Sequence, residues 1–334
     1  MEHKIKIFYS KDWSAGRTGK QDYELLDTGE GEKLERFGPY TFVRPYEDAV
    51  WPKCSKPSFQ HLWAQADGKF WSSKVGAKAG WKMRDKNEQG LPLLKPLLKK
   101  WEMEYKGIKF LASPTPFRHL GFFPEQASHW DFIEEKIKSA EVGLPQKIKF
   151  LNLFGYTGIA SLFALRAGAE VTHVDASKQT LNWAKENENL SRGVLDNKLS
   201  MRIIEDDVMK FLEREIKRGN KYDCVIMDPP KFGRGPKGEI WKIEEMLPKL
   251  LSQVRKVLSD ETLFVILTSY AIDSSAFSLG YALEDMMKNF PKDGLLGHPK
   301  DRLWGEVEAG ELCVLEKSNN RIISLANTAV WMVK

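Results

Sequence analysis

In the stretch CVIMDPPKFGRG, residues 224–235, an apolar run stops at Asp228, Pro229 and Pro230, and Lys231 and Phe232 follow. An apolar strand ending in a carboxylate opens at the sheet edge where α/β folds bind their ligands. The two prolines, each holding φ near −65°, would aim Asp228 and the neighbouring carbonyls with little freedom. Those acceptors could hold an exocyclic amine, or Asp228 could take a proton as general base. Phe232 could stack on a base drawn out of its helix. Lys231 and Arg234, in a flexible run with Gly233, Gly235 and Gly238, could meet phosphate. The rival reading is a proline-rich turn ending a strand, its charges solvated.

Two more strand tips are acidic. THVDAS ends at Asp175, followed by Ala176 and Ser177, and EDD ends at Asp207. A carboxylate at the first tip can accept from ribose hydroxyls, and one at the second from an adenine amino group. Both positions suit helix N-caps equally well. Upstream lies NLFGYTG, residues 152–158, a strand-to-helix turn in which Gly155 and Gly158 let the backbone approach a ligand. A helix beginning at Thr157 would present free amides to a carboxylate. Three acidic tips in succession, at Asp175, Asp207 and Asp228, suit a cationic ligand and repel a pyrophosphate, which argues against a dinucleotide.

These residues need a sheet to hold them. From about residue 118, apolar runs alternate with helical periods: IKFLNLFG, AEVTHVDAS, SMRIIED, YDCVIMD and TLFVILTSY as strands, each followed by an amphipathic segment. Such alternation predicts an α/β domain with a parallel sheet covered by helices on both faces. Around Ser318-Asn319-Asn320, two closing strands predict a terminal antiparallel β-hairpin. Residues 1–110 read differently, as short strands joined by Gly-containing turns, with a short helix after Pro96 and punctuation at SPTPF. The expected organisation is a β-rich accessory domain, residues 1–110, and a catalytic domain, residues 111–334.

Residues 1–110 hold 21 Lys+Arg against 15 Asp+Glu, and residues 111–334 hold 30 against 31, so the whole basic excess lies in the first third. Trp13, Trp51, Trp63, Trp71, Trp81 and Trp101 lie there too. Cations with aromatic faces fit an RNA partner; the plainer role for each tryptophan is core packing. The cysteines Cys54, Cys224 and Cys313 are far apart and the histidines scattered, which excludes a disulfide framework and a metal site by spacing. Neither a secretory signal nor a stretch long enough to cross a membrane is visible, and a cytoplasmic setting is expected.

Together HLGFFPEQASHWDFI, NLFGYTG, DAS, EDDVMKFL and DPPKFGRGPKGEIW resemble the class I S-adenosylmethionine-dependent methyltransferases of the 23S ribosomal RNA cytosine-C5 type. The resemblance runs from YELLDTGEGEKLERFG to the closing hairpin. It implies a Rossmann-like sheet preceded by a β-rich domain, with S-adenosylmethionine as cofactor and RNA, ribosomal RNA first, as partner. By position, Gln126 corresponds to a residue near the methionine end, Phe154, Gly155, Tyr156, Thr157 and Gly158 to the cofactor loop, Asp175 to the ribose binder, Asp207 to the adenine contact and Asp228 to the acid of the catalytic motif. Two departures stand out. Lys231 separates Pro230 from Phe232, where amino-group methyltransferases put the aromatic residue directly after the second proline. LTSYAID has Ser269 and Tyr270 where the cytosine-C5 branch has an attacking cysteine, and serine is a poor nucleophile without an activating base. A methyltransferase for proteins or small molecules, and a non-catalytic RNA-binding module, remain as alternatives, and a homodimer is left open.

Overall fold

The computed structural model describes residues 4–13, 22–71, 79–84, 100–141, 147–235, 237–270, 275–288 and 305–333. Two compact units emerge, one comprising Met1–Phe8, Ser128–Cys313 and Ser324–Lys334, the other Tyr9–Ala127 and Val314–Ile323. This partition is discontinuous, unlike a single cut after residue 110. The first strand, Lys6–Phe8, pairs in parallel with Gly305–Leu315 and so belongs with the larger unit.

The larger unit is an eight-stranded sheet. Its spatial order is Lys6–Phe8, Gly305–Leu315, Ile322–Val333, Phe264–Ser269, Cys224–Met227, Lys149–Leu153, Glu170–Asp175, Arg202–Glu205. The five strands from Phe264–Ser269 to Arg202–Glu205 are mutually parallel, and Ile322–Val333 runs antiparallel against the first of them. This is the α/β architecture with a closing antiparallel strand that the alternation implies. Every residue of Cys224–Met227 and of Phe264–Ser269 is buried, which explains the unbroken apolar character of the first and of Phe264 to Leu267 in the second. Val225, Met227, Leu151, Leu153, Val265 and Leu267 meet Leu250, Val254 and Leu283 of the flanking helices in one core. Strand order reverses between Lys149–Leu153 and Cys224–Met227, so the carboxyl ends of these two strands frame the crevice where open α/β sheets take ligands. Asp228 follows the end of one and Phe154 the end of the other.

The smaller unit holds a five-stranded sheet, Tyr23–Gly29, Glu32–Phe37, Tyr40–Pro45, Gly68–Trp71 and Gly80–Met83, and a two-stranded ribbon, Trp101–Tyr105 with Ile108–Ala112. Residues 91–99 lie outside the described residues, so the expected helix after Pro96 lies mostly there. Its end, Trp101–Tyr105, is a strand, because Met103 and Tyr105 alternate inward and are fully buried. The tryptophans are packing residues. Trp13 lies 4.6 Å from the Tyr105 ring and Phe42 stacks on Trp101 at 5.9 Å. Indole N–H groups are used internally: Trp63 donates to Asp27 at 2.7 Å and Trp81 to the Thr115 carbonyl at 2.8 Å. Trp13 and Trp81 are buried and Trp51, Trp63, Trp71 and Trp101 half-buried, in keeping with the plainer packing role.

At the heart of this unit Glu35, fully buried, accepts two hydrogen bonds from Arg44, at 2.6 and 2.7 Å, and one from Tyr23 at 3.0 Å. Burial alone would raise the Glu35 pKa, but the charges of Arg44 and Lys33 outweigh it and bring it to about 2.

Candidate active site

Three strand ends build the site. After Lys149–Leu153 the backbone enters the left-handed region at Phe154 (φ 58°), Tyr156 (φ 54°) and Gly158 (φ 86°). Two of the three are not glycine, and each such residue costs on the order of 1–3 kcal/mol unless its surroundings impose it. Here they do. The Gly155 amide donates to the Val174 carbonyl at 3.0 Å and the Tyr156 amide to Asp175 Oδ2 at 2.9 Å, tying the loop to the neighbouring strand. Gly155 lies on the buried His173 ring, where a β-carbon would fall 2.2 Å from Cε1. Beneath it Asn152 donates to Ser161 Oγ at 2.9 Å, and Ser161 Oγ is 3.0 Å from His173 Nδ1. That chain runs in one direction only if His173 is neutral, and burial does lower its pKa, to about 4. The helix itself is Ile159–Arg166, capped by Gly158, two residues beyond the Thr157 start read from sequence. Thr157 is buried, and its carbonyl accepts from Asn187 at 2.9 Å.

Asp175 ends the next strand and is half-buried. Its Oδ1 accepts from the Ser177 amide at 2.9 Å and from Thr180 Oγ1 at 3.1 Å, besides the Tyr156 bond to Oδ2. Burial raises its pKa above the ordinary carboxylate value, opposed by the Ser177, Tyr156 and Thr180 bonds. The Ala176 backbone also bonds to it, so protein donors already surround this carboxylate. Ser177 caps the helix Lys178–Leu190 by accepting from the Thr180 amide at 3.3 Å, and Ala176 lies between these two. The third tip sits alongside, since the Asp206 amide donates to the Asp175 carbonyl at 3.1 Å. Asp206 is consumed by an ion pair with Arg214. Asp207 caps the helix Val208–Arg218 through Oδ1, which accepts from the Lys210 amide at 3.0 Å. Its capping role is therefore real, and Oδ2 is the oxygen this contact leaves.

Asp228 is half-buried, Pro229 buried, and Pro230 and Lys231 exposed. The flexible glycine run expected next is instead an ordered two-stranded ribbon, Phe232–Arg234 against Ile240–Lys242, its turn closed by the Gly235 amide on the Glu239 carbonyl at 2.9 Å. The ribbon is anchored by Trp241, a residue without a role in the motifs. Its Nε1 donates to the Pro230 carbonyl at 2.6 Å, and its buried ring packs on Phe154 at 5.0 Å. One side chain thus joins the proline turn to the strained loop. Ile240, Trp241 and Lys242 are exposed, buried and exposed in turn, an alternation that their residue types do not announce. Cys224 is fully buried at the start of its strand, the end away from Asp228, burial pushes its thiol pKa far up, and Ser269 is buried at the end of the adjacent strand. Gln126 lies in the other unit, buried in the 3₁₀ helix Pro124–Gln126. Among the described residues, no cluster of His, Cys, Asp and Glu could hold a metal ion, and no helix is long and apolar enough to cross a membrane.

A parallel sheet closed by one antiparallel strand, with a glycine loop and acidic strand tips at its switch point, defines a class of nucleoside-cofactor enzymes rather than a dinucleotide dehydrogenase. Comparison with solved structures narrows this. The S-adenosylmethionine-dependent methyltransferase from Agrobacterium tumefaciens superimposes with a TM-score of 0.81 at 36% identity, over 99% of this chain and 95% of that one. A Streptococcus mutans chain, described as a methyltransferase of the same dependence, shares the fold at a TM-score of 0.65 and 14% identity, over 93% and 75% of the two chains. The protein belongs to the S-adenosylmethionine-dependent methyltransferases. No family model matches it. Among curated proteins, ribosomal RNA large subunit methyltransferase K of Neisseria meningitidis is 30% identical over 203 residues, covering 59% of this chain and 54% of that protein. Ribosomal RNA large subunit methyltransferase I of Aeromonas salmonicida is 31% identical over 131 residues, 39% and 30% of the two. The chain thus spans about half or less of the length of these two relatives.

Proposed function

We propose that this methyltransferase acts on RNA, with large-subunit ribosomal RNA as the leading substrate. The observation that carries it is the run after Asp228: Phe232 stands 54% exposed between the exposed cations Lys231 and Arg234, beside a half-buried carboxylate. A lone exposed aromatic flanked by cations matches an unstacked base and its phosphates. The names of the curated relatives support the same substrate class.

In this reading the loop Phe154–Gly158, Asp175 with Ala176 and Ser177, and Asp207 hold the donor. The fit is chemical: the loop backbone can approach closely because Gly155 has no β-carbon, Asp175 stands at the strand tip beside that loop, and Asp207 Oδ2 can accept an amino hydrogen. When bound, S-adenosylmethionine supplies an activated methyl group on a positively charged sulfur. The protein's own work is then placement, an effect that reaches roughly 7–11 kcal/mol in ideal intramolecular cases. Asp228 accepts from the amine of the target base or takes its proton, Pro229 and Pro230 limit the tip's freedom, Phe232 stacks on the base, and Lys231 and Arg234 meet phosphate. Attack on the ring by a thiol has no candidate near this tip, since Cys224 is sealed in the core. The methyl group therefore goes to a nitrogen or oxygen bearing its own lone pair, not to a ring carbon.

Mass spectrometry of RNA from cells with and without the gene tests the reading. A methyl mark lost with the gene, restored by the wild type and not by Asp228→Ala, is the expected result. RNA with unchanged modification would remove it.

A further inference from the structure

The ribbon Phe232–Arg234/Ile240–Lys242 has two faces. Its register pairs Phe232 with Lys242, Gly233 with Trp241 and Arg234 with Ile240. Side chains alternate along each strand, so Gly233 and Trp241 share one face, and Phe232, Arg234, Ile240 and Lys242 share the other. The first face is closed by Trp241. The second is open: Phe232 is 54% and Ile240 60% exposed, among the most exposed large apolar side chains described. Aromatic and aliphatic groups lie diagonally, with a cation opposite each.

Charge on this face is biased. Lys242 is paired with Glu245 at 2.8 Å, and Glu239 is held by Lys210 and by the Lys237 amide. Glu244 stands in the first turn of the following helix. Arg234, Lys231 and Lys237 are exposed and have no carboxylate partner among the described residues. Two apolar groups need apolar faces opposite them, and three free cations need anions. A base-paired helix offers the anions but hides its base faces. An unpaired strand offers both.

We propose that the outer face of this ribbon is a docking surface for an unpaired stretch of RNA that contains the methylated nucleotide, with Phe232 against that nucleotide's base, Ile240 against the base beside it, Arg234 on a phosphate, and Lys231 and Lys237, at the two ends of the ribbon, on flanking phosphates. The proposal rests on the RNA reading above and adds the form of the substrate and the residues Ile240 and Lys237. The ribbon is an attachment surface in its own right, so it is tested by binding and needs no knowledge of the methylated site.

The probe is a fluorescent unpaired RNA oligonucleotide of mixed sequence, compared with its own duplex by anisotropy across a salt series. Affinity for S-adenosylmethionine, measured by calorimetry, reports the fold of each variant. Wild type is expected to prefer the unpaired strand. Phe232→Ala should weaken that binding about tenfold, within the span that loss of one base–aromatic stack produces. Phe232→Trp should restore it, and Ile240→Ser should weaken it less. Arg234→Ala should reduce the salt slope by about 0.7. Should Phe232→Ala lose the cofactor as well, Arg234→Ala and Phe232→Trp decide. Unchanged RNA affinity in Arg234→Ala and Phe232→Ala with cofactor binding intact overturns the docking surface alone, as does a preference for duplex. A wild type that binds neither RNA overturns the substrate reading with it.

Discussion

Gly155→Ala is the most searching perturbation of the cofactor loop. Gly155 does not have a positive φ, so alanine would suffer no backbone penalty there. The cost is contact alone: the new β-carbon would lie 2.2, 2.4 and 2.9 Å from three atoms of the His173 ring, far inside the ordinary range that begins at 3.4 Å. The ring cannot swing away, being fully buried in the strand Glu170–Asp175 and bound through Ser161 to Asn152. Forcing one carbon into such a site typically costs about 1–3 kcal/mol. The loop must lift, and the Tyr156 amide then leaves Asp175. We expect Gly155→Ala to destabilise the larger unit by about 2 kcal/mol and to weaken S-adenosylmethionine at least tenfold. The diagnostic is a double-mutant cycle. His173→Ala removes the obstructing ring, so adding Gly155→Ala to it should cost less than about 0.5 kcal/mol, a coupling well above the scatter of independent sites. Urea unfolding and calorimetric titration of the cofactor measure both quantities for all four proteins. Additive costs would falsify the steric account, because the penalty would then arise somewhere other than the ring.

Three further outcomes are expected. Trp241→Phe keeps a ring against Phe154 but loses the bond to the Pro230 carbonyl; kcat should drop about tenfold, a typical hydrogen bond's worth, with cofactor affinity held within about twofold, and an unchanged kcat would show the indole N–H to be idle. Cys224→Ala should leave the rate of methyl transfer within about threefold, because a sealed thiol with a raised pKa does no nucleophilic work; complete loss in a folded variant would instead revive ring attack. His129 and His173 are buried in the larger unit with pKa values lowered by burial to about 3 and about 4. Because the folded values are depressed, their stabilising effect is full above the unfolded value near 6.5 and is lost as pH falls toward those figures, at about 1.4 kcal/mol per pH unit for each histidine; unfolding midpoints that stay flat from pH 6.5 to pH 5 would contradict this.

The sheet and the acidic tips were legible because both depend on local chemistry. A strand buried on both faces must be apolar throughout, as Cys224–Met227 is, and a carboxylate at its end must face the crevice. Residues whose roles depend on distant partners were not legible. His173 reads as one more residue of a strand until Gly155 is seen resting on it. Trp241 reads as a core residue until its N–H is seen on Pro230. The left-handed Phe154 and Tyr156 have no signature at all, since neither residue type favours that conformation. The glycines at 233, 235 and 238 suggested looseness, but cross-strand pairing and one buried indole turn the segment into a ribbon. The early tryptophans were open to two readings, because basic and aromatic composition looks alike in an RNA surface and in an aromatic core stitched by internal indole bonds.

The three left-handed residues at 154, 156 and 158 have one more implication. A ledge of this shape is manufactured during folding and is already set before any nucleoside arrives. A donor seated on it finds little chain left to freeze, so the heat released on binding should track solvent departure and sulfonium charge, with scant contribution from backbone ordering.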